Sequence, residues 1–357
     1  MHIPDGYLSP STCAALYAGS TPFWYVALNR VKKALHTRLV PLISLFAAFC
    51  FLIMMFNLPL PGGTTGHAVG IGLATIVLGP WAAMLSVSVA LIIQALFFGD
   101  GGVTAIGANC FNMAIVGSLV TYACYRALAG RSAITSYRRV VAAGVAAYLA
   151  INVSALLAAI EFGIQPLLFH DAAGTPLYCP YPLSVSIPAM MIGHLTIAGM
   201  AELVVSAGLV AFLQQSDPSL LKATAGASIS SVSIETSPRR SAPPLRAFWA
   251  GLCVLMVLTP LGIMAAGTAW GEWVASDFSS PAVRREIAGA SMNHPAPEQT
   301  PKGLEKISQV WTAPFSHYAP PYIRSATFGY FLSAMFGTGM IALACLLMGR
   351  FALETPE

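Results

Sequence analysis

Residues 67–98 read HAVGIGLATIVLGPWAAMLSVSVALIIQALFF, 32 positions without Asp, Glu, Lys or Arg. As one helix the run would extend about 48 Å, whereas a bilayer's hydrocarbon is about 30 Å thick. Gly79-Pro80 lies near its middle, and proline stops or kinks a helix. The run is therefore expected to cross a membrane, turn at Gly79-Pro80 and cross back.

The rest of the chain has the same character. Its 357 residues are 56% hydrophobic and only 9% charged, with mean hydropathy +0.71. Soluble domains carry about 25% charged residues. So few charges cannot cover a water-facing surface, which excludes a soluble enzyme. Long uncharged runs, rather than alternating segments of about ten residues, point to helices and not a barrel. The expected fold is an all-α polytopic membrane protein.

Further uncharged runs cover 13–29, 39–60, 104–124, 140–160, 183–213, 247–269 and 326–349. With the 67–98 run counted twice, nine spans result. If the N-terminus is outside, the clusters Arg30–Arg38, Arg126–Arg139, Lys222–Arg246 and Arg350 all face the cytoplasm, 13 of the 18 Lys and Arg. That satisfies the positive-inside rule. A single crossing of 67–98 would put two of these clusters on the side opposite Arg30–Arg38. The remaining five basic residues lie in one long outer loop, 270–325, where the rule is weak.

Residues 214–246 are rich in Ser, Thr, Ala and Pro without a sustained apolar period, as in a flexible linker. The expected organisation is a seven-span bundle (1–222), a cytoplasmic linker (223–245) and a two-span unit (246–357). The outer loop 270–325 carries Gly, Pro and both charge signs and is expected to be only partly ordered. The start, MHIPDG, has no basic region or early apolar core, so it is not expected to be a cleaved signal peptide. The seven cysteines are scattered without a C-x-x-C, and no disulfide framework is expected.

His2 is the residue that points to chemistry. A free α-amine, a deprotonated residue-2 amide and the His2 imidazole can chelate one ion through three nitrogens in a plane. Nitrogen ligands in a tetragonal plane favour Ni(II) or Cu(II). One more imidazole would complete the set, and His67, among the glycines of PGGTTGHAVG (61–70), is a candidate. The competing readings are an unstructured start and an interfacial histidine beside helix-packing glycines.

His194 and Glu202 lie within the uncharged run 183–213, eight residues apart. They suit a metal path or the orientation of a ligand, or else an interhelical hydrogen-bonding pair. Asn109 and Asn112, in DGGVTAIGANCFNMA (100–114), suit support of His67 and the N-terminus, or equally helix–helix contact. No Walker A, G-x-S-x-G or H-E-x-x-H sequence occurs, so a nucleotide site and a membrane metalloprotease find no support. Nothing indicates a nucleic-acid partner or a resident cofactor.

The stretches MHIPDGYLSP (1–10), GGTTGHAVGIGLATIVLGPWAA (62–83) and QALFFGDGGVTAIGANCFNMAIVGS (94–118) resemble the substrate-binding membrane subunit of nickel/cobalt energy-coupling-factor transporters, the CbiM/NikM family. The resemblance covers residues 1–222. The tail, 246–349, with PKGLE at 301–305, resembles the auxiliary CbiN/NikN subunit fused in line, although that subunit usually has Asp where Lys302 stands.

The resemblance implies that Met1, His2 and His67 hold the metal in a square plane, with Ni2+ or Co2+ as cargo. It also implies a separate coupling subunit (CbiQ/NikQ type) and ATPase subunits (CbiO/NikO type) in the cytoplasmic membrane, with the C-terminus cytoplasmic. Nickel is favoured by the all-nitrogen plane. The outer loop is expected to reach over the mouth of the bundle and help load or release metal. A gradient-driven transporter acting alone is the first alternative, but the matched broken spans common in such proteins are missing. A membrane-bound metal-dependent enzyme is the second, and no catalytic motif supports it.

These ligands must be deprotonated to bind. Metal binding is therefore expected to weaken steeply below about pH 6, near the ordinary histidine value. A flat affinity between pH 5 and pH 8 in a titration would count against this ligand set.

Overall fold

The computed structural model describes residues 1–32, 39–225, 244–265, 267–320 and 322–354. Residues 33–38, with Lys33, His36 and Arg38, lie outside the described residues, as do 226–243, most of the expected linker.

Helices α1 (Pro10–Lys32) and α2 (Leu39–Met54) come first. A short antiparallel hairpin follows, β1 (Leu58–Leu60) with β2 (Thr64–Gly66), Leu58 opposite Gly66. Pro59, Pro61 and the Gly62-Gly63 turn explain why the uncharged run 39–60 does not stay helical to its end. Next come α3 (Ile71–Leu78) and α4 (Pro80–Ile93), the latter continuing as a π-turn over Gln94–Phe98. The break falls at Gly79, whose φ of 79° and ψ of 164° suit glycine, and Pro80 takes the first helical position.

A bent segment leads through α5 (Ile106–Asn109) and a π-turn (Cys110–Val116) into α6 (Gly117–Ala129). Then follow α7 (Tyr137–Leu168), α8 (Leu183–Gly193), a π-turn over His194–Ala198 and α9 (Gly199–Ser216). The C-terminal part contains α10 (Pro244–Leu258), α11 (Pro281–Ala290), α12 (Lys302–Ile307) and α13 (Ala326–Glu354).

Among the described residues, five helical stretches are long and apolar enough to cross a membrane: Pro80–Phe98, Ile106–Ala129, Tyr137–Leu168, Leu183–Ser216 and Ala326–Arg350. Val40–Met54 and Phe248–Met264 are shorter apolar helices. Helix α3, at eight residues, reaches only about 12 Å. The chain is thus an all-α multi-pass membrane protein.

Helix α7 lies at the centre and packs on α3, α6, α8 and α9. Its Ala143, Ala146, Ala147 and Ala150 are fully buried, and such small side chains let neighbouring backbones approach where lipid provides no hydrophobic drive. Helix α13 packs on α2 and α4, which seats the C-terminal part against the bundle.

The outer loop differs from expectation. Residues 270–325 carry α11, α12 and short 3-10 turns, with Trp270, Trp273, Phe278, Ile287, Leu304 and Tyr318 buried. The mixed composition of the loop conceals this widely spaced apolar set, which reaches its partners only in the folded protein.

The first nine residues run into the bundle and are held along their length. Ile3 O accepts from Gly102 N at 2.8 Å. The Asp5 carboxylate accepts from Val103 N at 3.1 Å, from Thr104 N at 2.7 Å and from the Thr104 hydroxyl. Ser9 N donates to Gln165 Oε1 at 3.0 Å. The approach to Gly102 is close: a Cβ there would lie 2.3 Å from Asp5 N.

Gly102→Ala is therefore expected to push the N-terminal segment out of its seat. In an aminopeptidase digestion of the detergent-solubilised protein, Met1 should be removed from the variant and not from the wild type. Equal resistance would show that the seat tolerates the methyl group.

Candidate metal centre

Met1 and His2 are 4% and 1% exposed. An end of a chain is usually at the surface, so this burial needs partners. The His2 ring stacks on the His67 ring, with centroids 5.1 Å apart and planes inclined by 30°. His67 lies in the non-helical segment 67–70, between β2 and α3.

His67 Nδ1 is 3.1 Å from Ala68 O. A carbonyl can only accept, so Nδ1 carries the hydrogen and Nε2 keeps its lone pair. Such a bond is the usual way in which a metal-binding imidazole is oriented.

His2 Nδ1 lies 2.7 Å from Asp100 Oδ1, out of line for a hydrogen bond, and Nε2 has no hydrogen-bond partner among the described residues. A buried ring without a well-made hydrogen bond calls for an explanation. Asp100 is itself held from behind. Its Oδ2 accepts from the Tyr318 hydroxyl at 2.5 Å and from Gln94 Nε2 at 3.1 Å, and Gln94 Nε2 also donates to the Tyr318 oxygen at 2.9 Å. Burial alone would raise the Asp100 carboxyl, but the adjoining His2 imidazole outweighs it and the group ends well below the usual carboxylate range. The Met1 amine is 3.5 Å from Glu272 Oε1.

The other residues singled out by sequence divide between two tasks. Asn109 grips the residue after His2: its Oδ1 accepts from Ile3 N at 2.8 Å and its Nδ2 donates to Ile3 O at 3.1 Å. Asn112 is not in the site. It donates to Glu161 Oε2 on α7 at 2.8 Å.

Glu202 accepts from Val69 N at 2.7 Å, Gly70 N at 2.9 Å and Gly72 N at 3.2 Å. Those amides open helix α3, where backbone N–H groups have no intrahelical partner and negative charge is favoured. Glu202 thus holds the chain just after His67. It makes no hydrogen bond to His194. His194 Nδ1 donates to Met190 O at 2.7 Å, and its ring lines a small cavity of about 10 Å³ together with Met1, Thr64 and Thr65.

A larger cavity of about 550 Å³ opens beside the site, lined by His67, Asp100, Glu272 and Tyr318 among others. Among the described residues, no three His, Cys, Asp or Glu side chains group as metal ligands. A chelate that takes two donors from the main chain and two from imidazoles does not require such a group.

Asp5, Gln94, Glu272 and Tyr318 did not stand out in the sequence. Asp5 and Gln94 lie inside the stretches on which the resemblance rests, but only the fold shows their contacts. Glu272 is 271 positions from Met1. Its one local signal is an acid set between aromatics, Trp270-Gly271-Glu272-Trp273.

A multi-pass helical protein with an inserted N-terminus and two facing imidazoles has the form of a membrane subunit that captures a cation. A model of the CbiM family, "Cobalt uptake substrate-specific transmembrane region", matches residues 2–220, and the chain belongs to this family. It is 55% identical to "Fused nickel transport protein NikMN" of Rhodobacter capsulatus, over 96% of this chain and 95% of that protein. It is 41% identical to "Probable fused nickel transport protein LarMN" of Lactiplantibacillus plantarum, over 98% and 97%. Among solved structures it resembles a "transition metal transporter" with 51% identity and TM-score 0.57, covering 60% of this chain and 93% of that one. The family is one of transport proteins, and the end-to-end similarity identifies this chain as a fused member.

Glu202→Ala would leave three buried amides without their acceptor, at about 1–3 kcal/mol for each unsatisfied group. The expected loss is about 3 kcal/mol or more of stability in detergent, read by denaturant unfolding. Glu202→Gln is expected to suffer as well, because its NH2 would face an N–H donor. Wild-type stability in both variants would overturn the capping role.

Proposed function

We propose that this chain is the substrate-capture component of an ATP-driven energy-coupling-factor importer of divalent nickel, with cobalt as the alternative ion. The observation that carries the reading is the burial of Met1 and His2 with the His2 ring against His67. The proposed ligands are the Met1 amine, the His2 amide and Nδ1, and His67 Nε2.

Amine and amide close a five-membered ring with the ion, and amide and Nδ1 close a six-membered one. Both suit a plane, and an all-nitrogen plane suits Ni(II). The names of the two fused relatives point the same way.

The chain's own residues would prepare this set. Asn109 and Asp5 hold the segment that follows the ligands, and Glu202 holds the backbone after His67. The Ala68 carbonyl keeps the hydrogen on Nδ1 of His67, which leaves Nε2 for the ion. Stacked rings turn their faces and not their nitrogens to one another, so capture would require the rings to turn until both lone pairs converge. His2 Nδ1 would part from Asp100 in the same movement. Binding would release protons from the amine and the amide.

We place the protein in the cytoplasmic membrane with its N-terminus outside, its C-terminus inside and nine crossings. Seven belong to a capture domain (1–222) and two to a C-terminal domain (246–357), joined by a cytoplasmic linker (223–245). The third crossing would combine the extended segment from His67 with α3. Without a phosphate-binding loop in this sequence, energy would come from ATPase subunits acting through a membrane coupling subunit. His194, beside Met1, is a candidate for the inward path.

The test is titration of the purified protein with Ni(II) and Co(II), beside a form extended by one residue before Met1. Extension destroys the amine–amide–imidazole chelate and leaves every helix unchanged. The native form is expected to bind one ion, nickel more tightly than cobalt, and the extended form to lose binding. Equal binding by the two forms would overturn the ligand set.

A further inference from the structure

The Met1 amine has one hydrogen-bond partner among the described residues, and it comes from the far end of the chain: Glu272 Oε1, at 3.5 Å. The segment bearing Glu272 is firmly seated. Ala269 pairs with Thr65 of the hairpin in a parallel bridge. Glu272 N donates to Ala269 O at 3.0 Å and so closes a turn.

On one side of the turn Trp270 is buried and donates to Ser291 Oγ at 3.1 Å. On the other, Trp273 O accepts from the Tyr7 hydroxyl at 2.8 Å. The last contact ties the turn to the N-terminal segment itself. The backbone that carries Glu272 is thus fixed beside the amine, and the Glu272 side chain is only 23% exposed.

An amine that gives its lone pair to a metal still has two N–H groups. A carboxylate held beside it can accept from the amine with or without the ion. The Met1 nitrogen, an amine and not an amide, is not held in a peptide plane. A fixed acceptor removes that freedom before the ion arrives, and binding is strengthened when such ordering is done in advance.

We propose that Glu272 is a positioning residue for the Met1 amine, so that the C-terminal domain completes the capture site of the first 222 residues. This rests on the reading of Met1 and His2 as metal ligands. The C-terminal domain is then part of the binding apparatus and not only a neighbour of it. Groups that orient a metal ligand typically change affinity by about 10–100-fold when removed.

The experiment uses the full chain and Ni(II), titrated in competition with a chromophoric chelator. Glu272→Ala is expected to weaken binding about tenfold while the visible band of planar nickel keeps its shape at saturation. Glu272→Gln keeps an acceptor oxygen at the same reach and is expected to restore most of the affinity. The retained band shows that the variants still fold around the same ligands.

Wild-type affinity in Glu272→Ala would overturn the proposal. So would a loss in Glu272→Gln equal to that in Glu272→Ala, since charge and not placement would then carry the effect. The form extended before Met1 is run in parallel. If it loses binding while Glu272→Ala does not, this inference alone fails. If it binds as the native form does, the ligand reading fails and the role of Glu272 with it.

Discussion

The structure depends on the burial of a chain terminus. A terminal amine is strongly solvated, and taking it into an apolar bundle is costly unless partners replace the water. Met1 is nevertheless 4% exposed. The compensation is distributed along the next eight residues: Ile3 on Gly102 and Asn109, Asp5 on the 103–104 backbone, Tyr7 on Trp273, Ser9 on Gln165. Several bonds along the backbone hold in place two residues that would not stay there by themselves. Under the proposed ligand set two donors belong to the main chain, and no rotamer can bring a backbone nitrogen to an ion, so the segment itself must be held.

The segment that bears His67 poses the same problem from the opposite direction. His67 stands on a short extended piece between a hairpin and a helix of eight residues. So short a helix has little stability of its own. Its opening amides would be unsatisfied in a place without free water. Glu202 supplies three acceptor contacts from α9 and ties α3 to a long helix. A carboxylate deep in an apolar run is often a site on an ion path. Here its oxygens are occupied by backbone N–H groups, so its part is to hold the extended segment that bears His67.

Much of this was legible in the sequence, for identifiable reasons. The excess of uncharged residues sets the class, and Gly79-Pro80 marks the break between α3 and α4 because proline has no N–H and glycine alone suits the backbone there. The proposed His2 chelate needs only residues adjacent in sequence. His67 stands out because an ionisable side chain sits among glycines in an apolar region. The remainder depended on long-range pairing. Asn109 and Asn112 are three residues apart, yet one grips Ile3 and the other Glu161, with a π-turn beginning between them. The outer loop looked loose because the partners of its aromatic residues lie elsewhere in the chain: in the fold Trp270 and Trp273 meet Tyr181.

The geometry also shows why a fused tail is useful. Asp100 and Glu272 stand at the two ends of the Met1–His2 pair, one from the bundle and one from the C-terminal part, and Tyr318 from the C-terminal part holds Asp100 in turn. Two of these groups, Glu272 and Tyr318, would be missing from a separate bundle. In a two-chain arrangement those contacts would form only on association, with the entropy cost of bringing two proteins together. Joining the units in one chain makes that encounter intramolecular, and the effective concentration is then set by the connection rather than by expression of a partner. The fused order also sets a constraint on the connection. Residue 225 and residue 244 must be spanned while α13 stays packed on α2 and α4, so the length of the connection limits how Glu272 and Tyr318 can be brought to the Met1–His2 pair.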